Sequence, residues 1–233
     1  INPNNPTGAV YSREILQQIA DVAREHELVV FADEIYEKIT YEGAEAINMA
    51  TITGDDVLCM TFSGLSKAYR VCGYRAGWLA ITGPKEDAKN YIEGITLLAS
   101  MRLCSNVPAQ HAIQTALGGY QSIDELVAPG GRLYEQRTLA YRMLNEIDGI
   151  TCEQADGALY LFPKIDTEKF NIKSDEQFML DLLKDQKILF SHGSAFNWHK
   201  PDHFRLVFLP DVQTLKSALE RLGNFMADYK QKN

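Results

Sequence analysis

Little in these 233 residues suits a membrane, a nucleic acid or an oxidised extracellular scaffold. No apolar run approaches the roughly 20 residues that cross a bilayer, and no signal-peptide pattern occurs. Basic residues are in the minority. The 23 Lys and Arg against 31 Asp and Glu leave a formal charge of −8, with no basic stripe to hold a polyanion. The four cysteines, Cys59, Cys72, Cys104 and Cys152, lie far apart without a C-x-x-C pair, which excludes a dithiol redox motif. All but Cys72 have apolar-leaning surroundings, predicting reduced core thiols. The histidines form no recognisable zinc spacing. Pro201 breaks any helical pairing of His199 with His203, and His192 does not complete a set, so no metal is expected. Internal repeats and low-complexity linkers are also missing. These absences predict a cytoplasmic protein with neither a nucleic acid nor a membrane as partner.

What is present is enough for a substantial core, at 45% hydrophobic residues. Ser12 can cap a helix whose Ile15, Leu16, Ile19, Val22 and Ala23 recur at helical spacing, and a wholly apolar strand follows at 28–32. Apolar strands at 57–62 and 76–81 read the same way, as strands covered on both faces of a parallel sheet. Pro84 starts a helix to about Arg102, Pro108 starts one that stops at Gly118-Gly119, and residues 129–147 form a long helix. After Ile150 come strands at 159–165, 188–191 and 203–208 with helices between and after them. Ser174 and Gln177 have capping-box spacing, and Val212, Leu215, Leu219, Leu222 and Met226 share one face of the last helix.

In open parallel sheets ligands bind beyond the carboxyl ends of the strands, and Asp33, Tyr36 and Lys67 all lie just past such ends. Taken singly, Asp33 reads as a loop carboxylate and Lys67 as a solvated charge. Together with their neighbours they form an ordered set: NPNNPTG at 2–8, ADEIY at 32–36, SGLSK at 63–67, and Arg75. This set resembles the fold type I, class I aminotransferases, which use pyridoxal 5'-phosphate. Within that family the stretches SGLSKAYRVCGYRAGW, MRLCSNVPAQHAIQTALGGYQSI and HFRLVFLP are most similar to bacterial alanine (glutamate–pyruvate) aminotransferases.

The resemblance implies a fold and a set of roles. The fold is α/β: a partial doubly wound, mostly parallel sheet forming the C-terminal part of a large cofactor-binding domain over 1–128, then a linking helix and small α/β domain over 129–233. Lys67 would form the Schiff base with the cofactor aldehyde and move the proton to and from Cα, as a lysine with a neutral amine can. Arg75 would grip the cofactor phosphate, with Ser63 or Ser66 adding a hydroxyl. Asp33 would keep the pyridine nitrogen protonated. A carboxylate about 3 Å away at an effective dielectric near 20 supplies about 5.5 kcal/mol, more than the about 2.7 kcal/mol that a two-unit rise in pKa requires. Asn5 and Tyr36 would donate to the ring's phenolic oxygen. Asn5 and Arg205 would bind substrate, Arg205 gripping the α-carboxylate. The alternative reading of Arg205 is an edge-strand arginine paired to a surface acid. Arg102 reads equally well as a helix-end arginine or, by the resemblance, as one that approaches the partner subunit's cofactor phosphate in a family-type dimer, and Tyr160 reads as a core aromatic.

The implied activity is amino-group transfer between L-alanine and 2-oxoglutarate, or glutamate and pyruvate in reverse, by a homodimer acting on amino and 2-oxo acids. Two other readings remain open. One is a pyridoxal-phosphate carbon–sulfur β-lyase using the same lysine; the other is a non-catalytic module that keeps only the fold. The opening INPNNPTG reads as if cut from something longer, so a fragment that binds cofactor weakly is expected.

Overall fold

The first helix, α1 (Arg13–Glu25), starts at its sequence signal: the Ser12 hydroxyl accepts from the Ile15 N–H at 3.4 Å, covering one free donor of the first turn. In the computed structural model, which describes residues 1–232, α1 belongs to a unit made of residues 1–3 and 10–124. A second unit is built from residues 4–9 and those from 125 onward. Among the described residues no helix is long and apolar enough to cross a membrane.

The first unit is organised around a three-stranded sheet, β1 (Val30–Asp33), β2 (Cys59–Gly64) and β3 (Gly77–Thr82), in that order. Strands β1 and β2 are parallel, with Val30 opposite Cys59, and the short helix α2 (Ala50–Thr53) lies in their connection. Leu16 and Ala20 of α1 pack with Ala32, Met49, Ile52 and Cys59 as the core between helix and sheet. Strand β3 departs from the expected parallel order and runs antiparallel to β2, pairing Cys59 with Thr82 and Gly64 with Gly77. Residues 65–76 hold a 3-10 turn but no α-helix to carry the chain back across the sheet, so it returns in the opposite direction. Gly77 permits this close pairing, since a Cβ there would stand 2.7 Å from the Ser63 carbonyl oxygen.

Cover on both faces of the strands, expected from their apolar runs, holds for Ala32, Cys59 and Met60 but not for Phe31, which is 56% exposed. Phe31 stacks on Phe62, ring centroids 5.9 Å apart, and Ile15, Ile19 and Val22 of α1 are exposed too. Helix α3 (Lys89–Met101) begins later than Pro84, because residues 85–88 form turns; α4 (Val107–Gly118) carries Pro108 in its first turn. Cys104 is exposed, against the expectation of a core thiol, because it lies in the irregular link between these two helices. Cys59 and Cys152 are buried, and burial raises both thiols, Cys152 to about 12.

At the division lies the short α5 (Ile123–Val127), followed by α6 (Arg132–Asn145). The second unit contains a two-stranded sheet of β4 (Ile150–Thr151) and β6 (Lys164–Ile165), and an antiparallel sheet of β5 (Tyr160–Leu161), β8 (Phe204–Val207) and β7 (Ser191–His192) in that order. The single strand expected over 159–165 is split into β5 and β6 around Phe162-Pro163, where proline has no N–H for a ladder. Helix α8 (Val212–Asp228) buries Leu215, Leu219, Leu222 and Met226 and packs against α6, while α7 (Asp175–Gln186) places Phe178 and Leu182 in the same interior. Only half of the capping box forms. Ser174 Oγ accepts from Gln177 N at 3.2 Å, but the Ser174 N–H donates to Gln231 Oε1 rather than to the Gln177 side chain. Segment 4–9 is tied in by Gly157 N to Gly8 O at 2.8 Å. Gly8 has φ +75°, and a Cβ there would meet Ala155 Cβ at 2.5 Å.

Candidate active site

Asp33 ends β1. Its backbone oxygen accepts from Asn2 N, and its side-chain Oδ1 accepts from Ile35 N at 3.1 Å, the turn-capping bond of a loop carboxylate. Oδ2 has no hydrogen-bond partner among the described residues. Tyr36, three residues on, is 2% exposed.

Lys67 stands on a closed loop after β2. Val71 N donates to Leu65 O and Arg70 N to Lys67 O, while Leu65 and Ala68 are buried beneath. The Lys67 amine is half-buried and makes no ion pair or hydrogen bond among the described residues; it lies 5.8 Å from the Tyr36 ring centroid. Thus the structure brings Lys67 to Tyr36. The Ser63 hydroxyl meets Glu37, whose carboxyl is raised by burial and lowered by that hydroxyl. Ser66 is half-buried. Arg75 is exposed, in the left-handed region at φ 50°, with Nη1 on Cys72 O at 2.6 Å; none of its hydrogen bonds goes to Lys67, Ser63 or Ser66. Arg102 caps the end of α3 and donates to Cys104 O.

Glu34 is the carboxylate that the sequence analysis passed over. It is 3% exposed, its Oε1 accepts from Met49 N at 2.7 Å, and Asn48 Nδ2 donates to Oε2. Burial drives its carboxyl up to about 7; the Met49 N–H opposes the rise, and Glu37 and Asp33 add to it.

In the second unit, Arg205 joins residues that sequence distance hides. Nη1 donates to Asn5 Oδ1 at 2.9 Å, 200 positions away, and Nη2 to Ser191 Oγ at 3.2 Å. The guanidinium carbon lies 4.7 Å from the Tyr160 ring and 4.7 Å from that of Phe196. Such contacts are worth about 0.5–2 kcal/mol each and leave the charge itself unneutralised. Among the described residues no carboxylate pairs with Arg205, and its buried Nε lacks a partner. Strand β8 is central in its sheet, so the edge-strand, surface-acid alternative does not describe it. Tyr160, expected as a core aromatic, is buried and also flanks this cation. Ser191 and Phe196 were not anticipated; only the pairing of Ser191 with Arg205 across β7 and β8 exposes their role. Arg205 is thus a half-buried arginine with an unpartnered donor and, among the described residues, no acid beside it.

Residues 1–222 match the profile of the family described as "Aminotransferase class I and II". The chain is 60% identical over 231 residues to glutamate-pyruvate aminotransferase AlaA of Haemophilus influenzae, covering 99% of this chain and 57% of that protein. It is 63% identical to an alanine aminotransferase of Mycobacterium bovis, again over 99% of this chain and 54% of that one. A crystal structure of an aminotransferase from Escherichia coli superimposes with a TM-score of 0.97 at 56% identity, covering 99% of this chain and 57% of the other. The chain thus spans about half the length of the curated relatives it matches.

Proposed function

Because the chain belongs to the class I and II aminotransferases, we propose that the complete protein exchanges an amino group between L-alanine and 2-oxoglutarate, and between glutamate and pyruvate in reverse, with pyridoxal 5'-phosphate as cofactor. We read residues 1–128 as part of its cofactor-binding domain and 129–233 as a linking helix and small domain. The observation that carries the substrate reading is Arg205: a cation held by Asn5, Ser191 and two rings, with no acid among the described residues to neutralise it.

The residues of the first unit suit the cofactor on their chemistry. Among the described residues they include an amine without an ion pair, a carboxylate with one uncommitted oxygen, and a buried phenol beside the amine. Bound pyridoxal phosphate supplies an aldehyde carbon for amines and a ring that accepts the electron pair left when Cα loses a proton. Lys67 is the amine for that aldehyde and the base that takes and returns the Cα proton. Its amine lies 5.8 Å from the Tyr36 ring centroid and, among the described residues, is not tied up by a carboxylate. Asp33 would hold the proton on the pyridine nitrogen, and the Tyr36 phenol would donate to the ring oxygen. Of the phosphate-binding groups, Ser63 already engages Glu37 and Ser66 does not, which favours Ser66. In the second unit Arg205 orients the substrate by its α-carboxylate, and Asn5, whose Oδ1 is spent on Arg205, keeps its Nδ2 to donate.

The test uses the complete protein. With alanine and 2-oxoglutarate it should form glutamate without releasing ammonia, whereas a β-lyase acting on a cysteine-type substrate would release it. Arg205→Lys should lower kcat/KM for every amino acid by about 10–100-fold, the equivalent of one charge-assisted bond. An unchanged value would overturn the assignment of Arg205.

A further inference from the structure

Two of the four side chains that frame Arg205 flank one 3-10 turn, Gly193–Phe196: Ser191 just before it and Phe196 at its end. A four-residue turn with so few internal bonds does not hold a ring at a fixed distance by itself. Here it is held from outside. Asp175, the first residue of α7 and only 4% exposed, directs both carboxylate oxygens to a single serine of the turn. Oδ2 accepts from Ser194 N at 2.7 Å, and Oδ1 accepts from Ser194 Oγ at 2.9 Å and from Glu176 N at 3.0 Å. His192 Nδ1 also meets Ser194 Oγ, at 2.8 Å. A hydroxyl has one proton. With that proton given to Asp175, the hydroxyl can only accept from His192, so His192 carries its proton on Nδ1. The other side of the turn is pinned to β8: Gly193 N donates to His203 O at 2.9 Å, two residues before Arg205.

We propose that Asp175 is a positioning residue for substrate binding: through Ser194 it locks the turn that presents Phe196 to the Arg205 guanidinium, and so sets the aim of the Arg205 fork at a carboxylate. The inference rests on the reading of Arg205 as the carboxylate anchor. Removing the Asp175 carboxylate leaves the Ser194 N–H without its acceptor and lets the hydroxyl turn its proton to His192 Nδ1 in that ring's other tautomer, and the turn is freed on the side facing α7. The guanidinium then loses the fixed Phe196 ring on one face, while Ser191 stays paired with Arg205 across β7 and β8. Displacement of such a group by even an ångström weakens every carboxylate it orients.

The experiment uses the complete, cofactor-loaded protein and propanoate, an alanine analogue without the amino group, as competitive inhibitor. Asp175→Ala should raise the propanoate inhibition constant about tenfold while leaving the cofactor absorbance unchanged. Asp175→Asn, which can still accept from Ser194 N and donate to Ser194 Oγ but gives up the bond from Glu176 N, should restore most of the inhibition. In an Arg205→Lys background, Asp175→Ala should add nothing, since both act through one group. A folded Asp175→Ala protein with an unchanged inhibition constant, or one whose effect adds fully to Arg205→Lys, overturns the proposal. If Asp175→Ala fails to fold, Ser194→Ala replaces it: a severalfold rise that vanishes with Arg205→Lys supports the inference, and no rise refutes it. Should Arg205→Lys itself leave propanoate inhibition unaltered, the anchor reading fails instead, whatever Asp175 does.

Discussion

Replacing Glu34 with glutamine should change how the stability of the complete protein depends on pH, in a direction that the burial of this side chain dictates. At 3% exposure the carboxyl has lost most of its water, and its pKa stands at about 7 against 4.5 for a free glutamate. A carboxyl whose pKa is raised by folding binds more protons in the native state than in the unfolded chain between those two values. Stability from this group is therefore complete below pH 4.5 and falls as pH rises toward 7. The full loss amounts to about 3 kcal/mol. Glutamine cannot ionise, so relative to wild type the Glu34→Gln protein should gain about 3 kcal/mol between pH 4.5 and pH 8. Its altered bonding to Met49 N and Asn48 Nδ2 adds a constant offset that leaves this slope untouched. Urea midpoints of both proteins across that range provide the measurement. Stability curves that run parallel would show that Glu34 titrates like a solvated acid and would refute the argument.

Two further outcomes follow from local geometry. Gly8→Ala would place its Cβ 2.5 Å from Ala155 Cβ and 2.8 Å from Tyr160 O at a positive φ, and should lower the stability of the complete protein by about 2 kcal/mol or more, read from its urea midpoint. An unchanged midpoint would mean that segment 4–9 does not hold this conformation. Borohydride reduction of the complete protein with pyridoxal phosphate should attach the cofactor to the peptide containing Lys67, and Lys67→Ala should abolish transamination; label on a different lysine would overturn the assignment.

Sequence alone determined what depends on near neighbours. Ser12 and the periodic residues after it define α1, and the buried stripe from Leu215 to Met226 is written at helical spacing, since each helical bond closes within three or four residues. The motif around Lys67 likewise singled out this lysine as a candidate before any strand was placed. Tertiary structure decided what depends on distant partners. Apolar content did not give the direction of β3, because a strand buried in either sense has the same composition. Ser174 had the spacing of a complete capping box, yet Gln231, 57 positions away, took the second bond. Cys104, expected in the core, is exposed and Glu34, on which nothing was expected, is buried, because burial is set by what packs over a residue and not by the residues beside it. The setting of Arg205 was the least legible of all: Asn5, Tyr160, Ser191 and Phe196 converge on it from four stretches of chain, and only folding brings them within hydrogen-bond and ring-contact distance of one guanidinium.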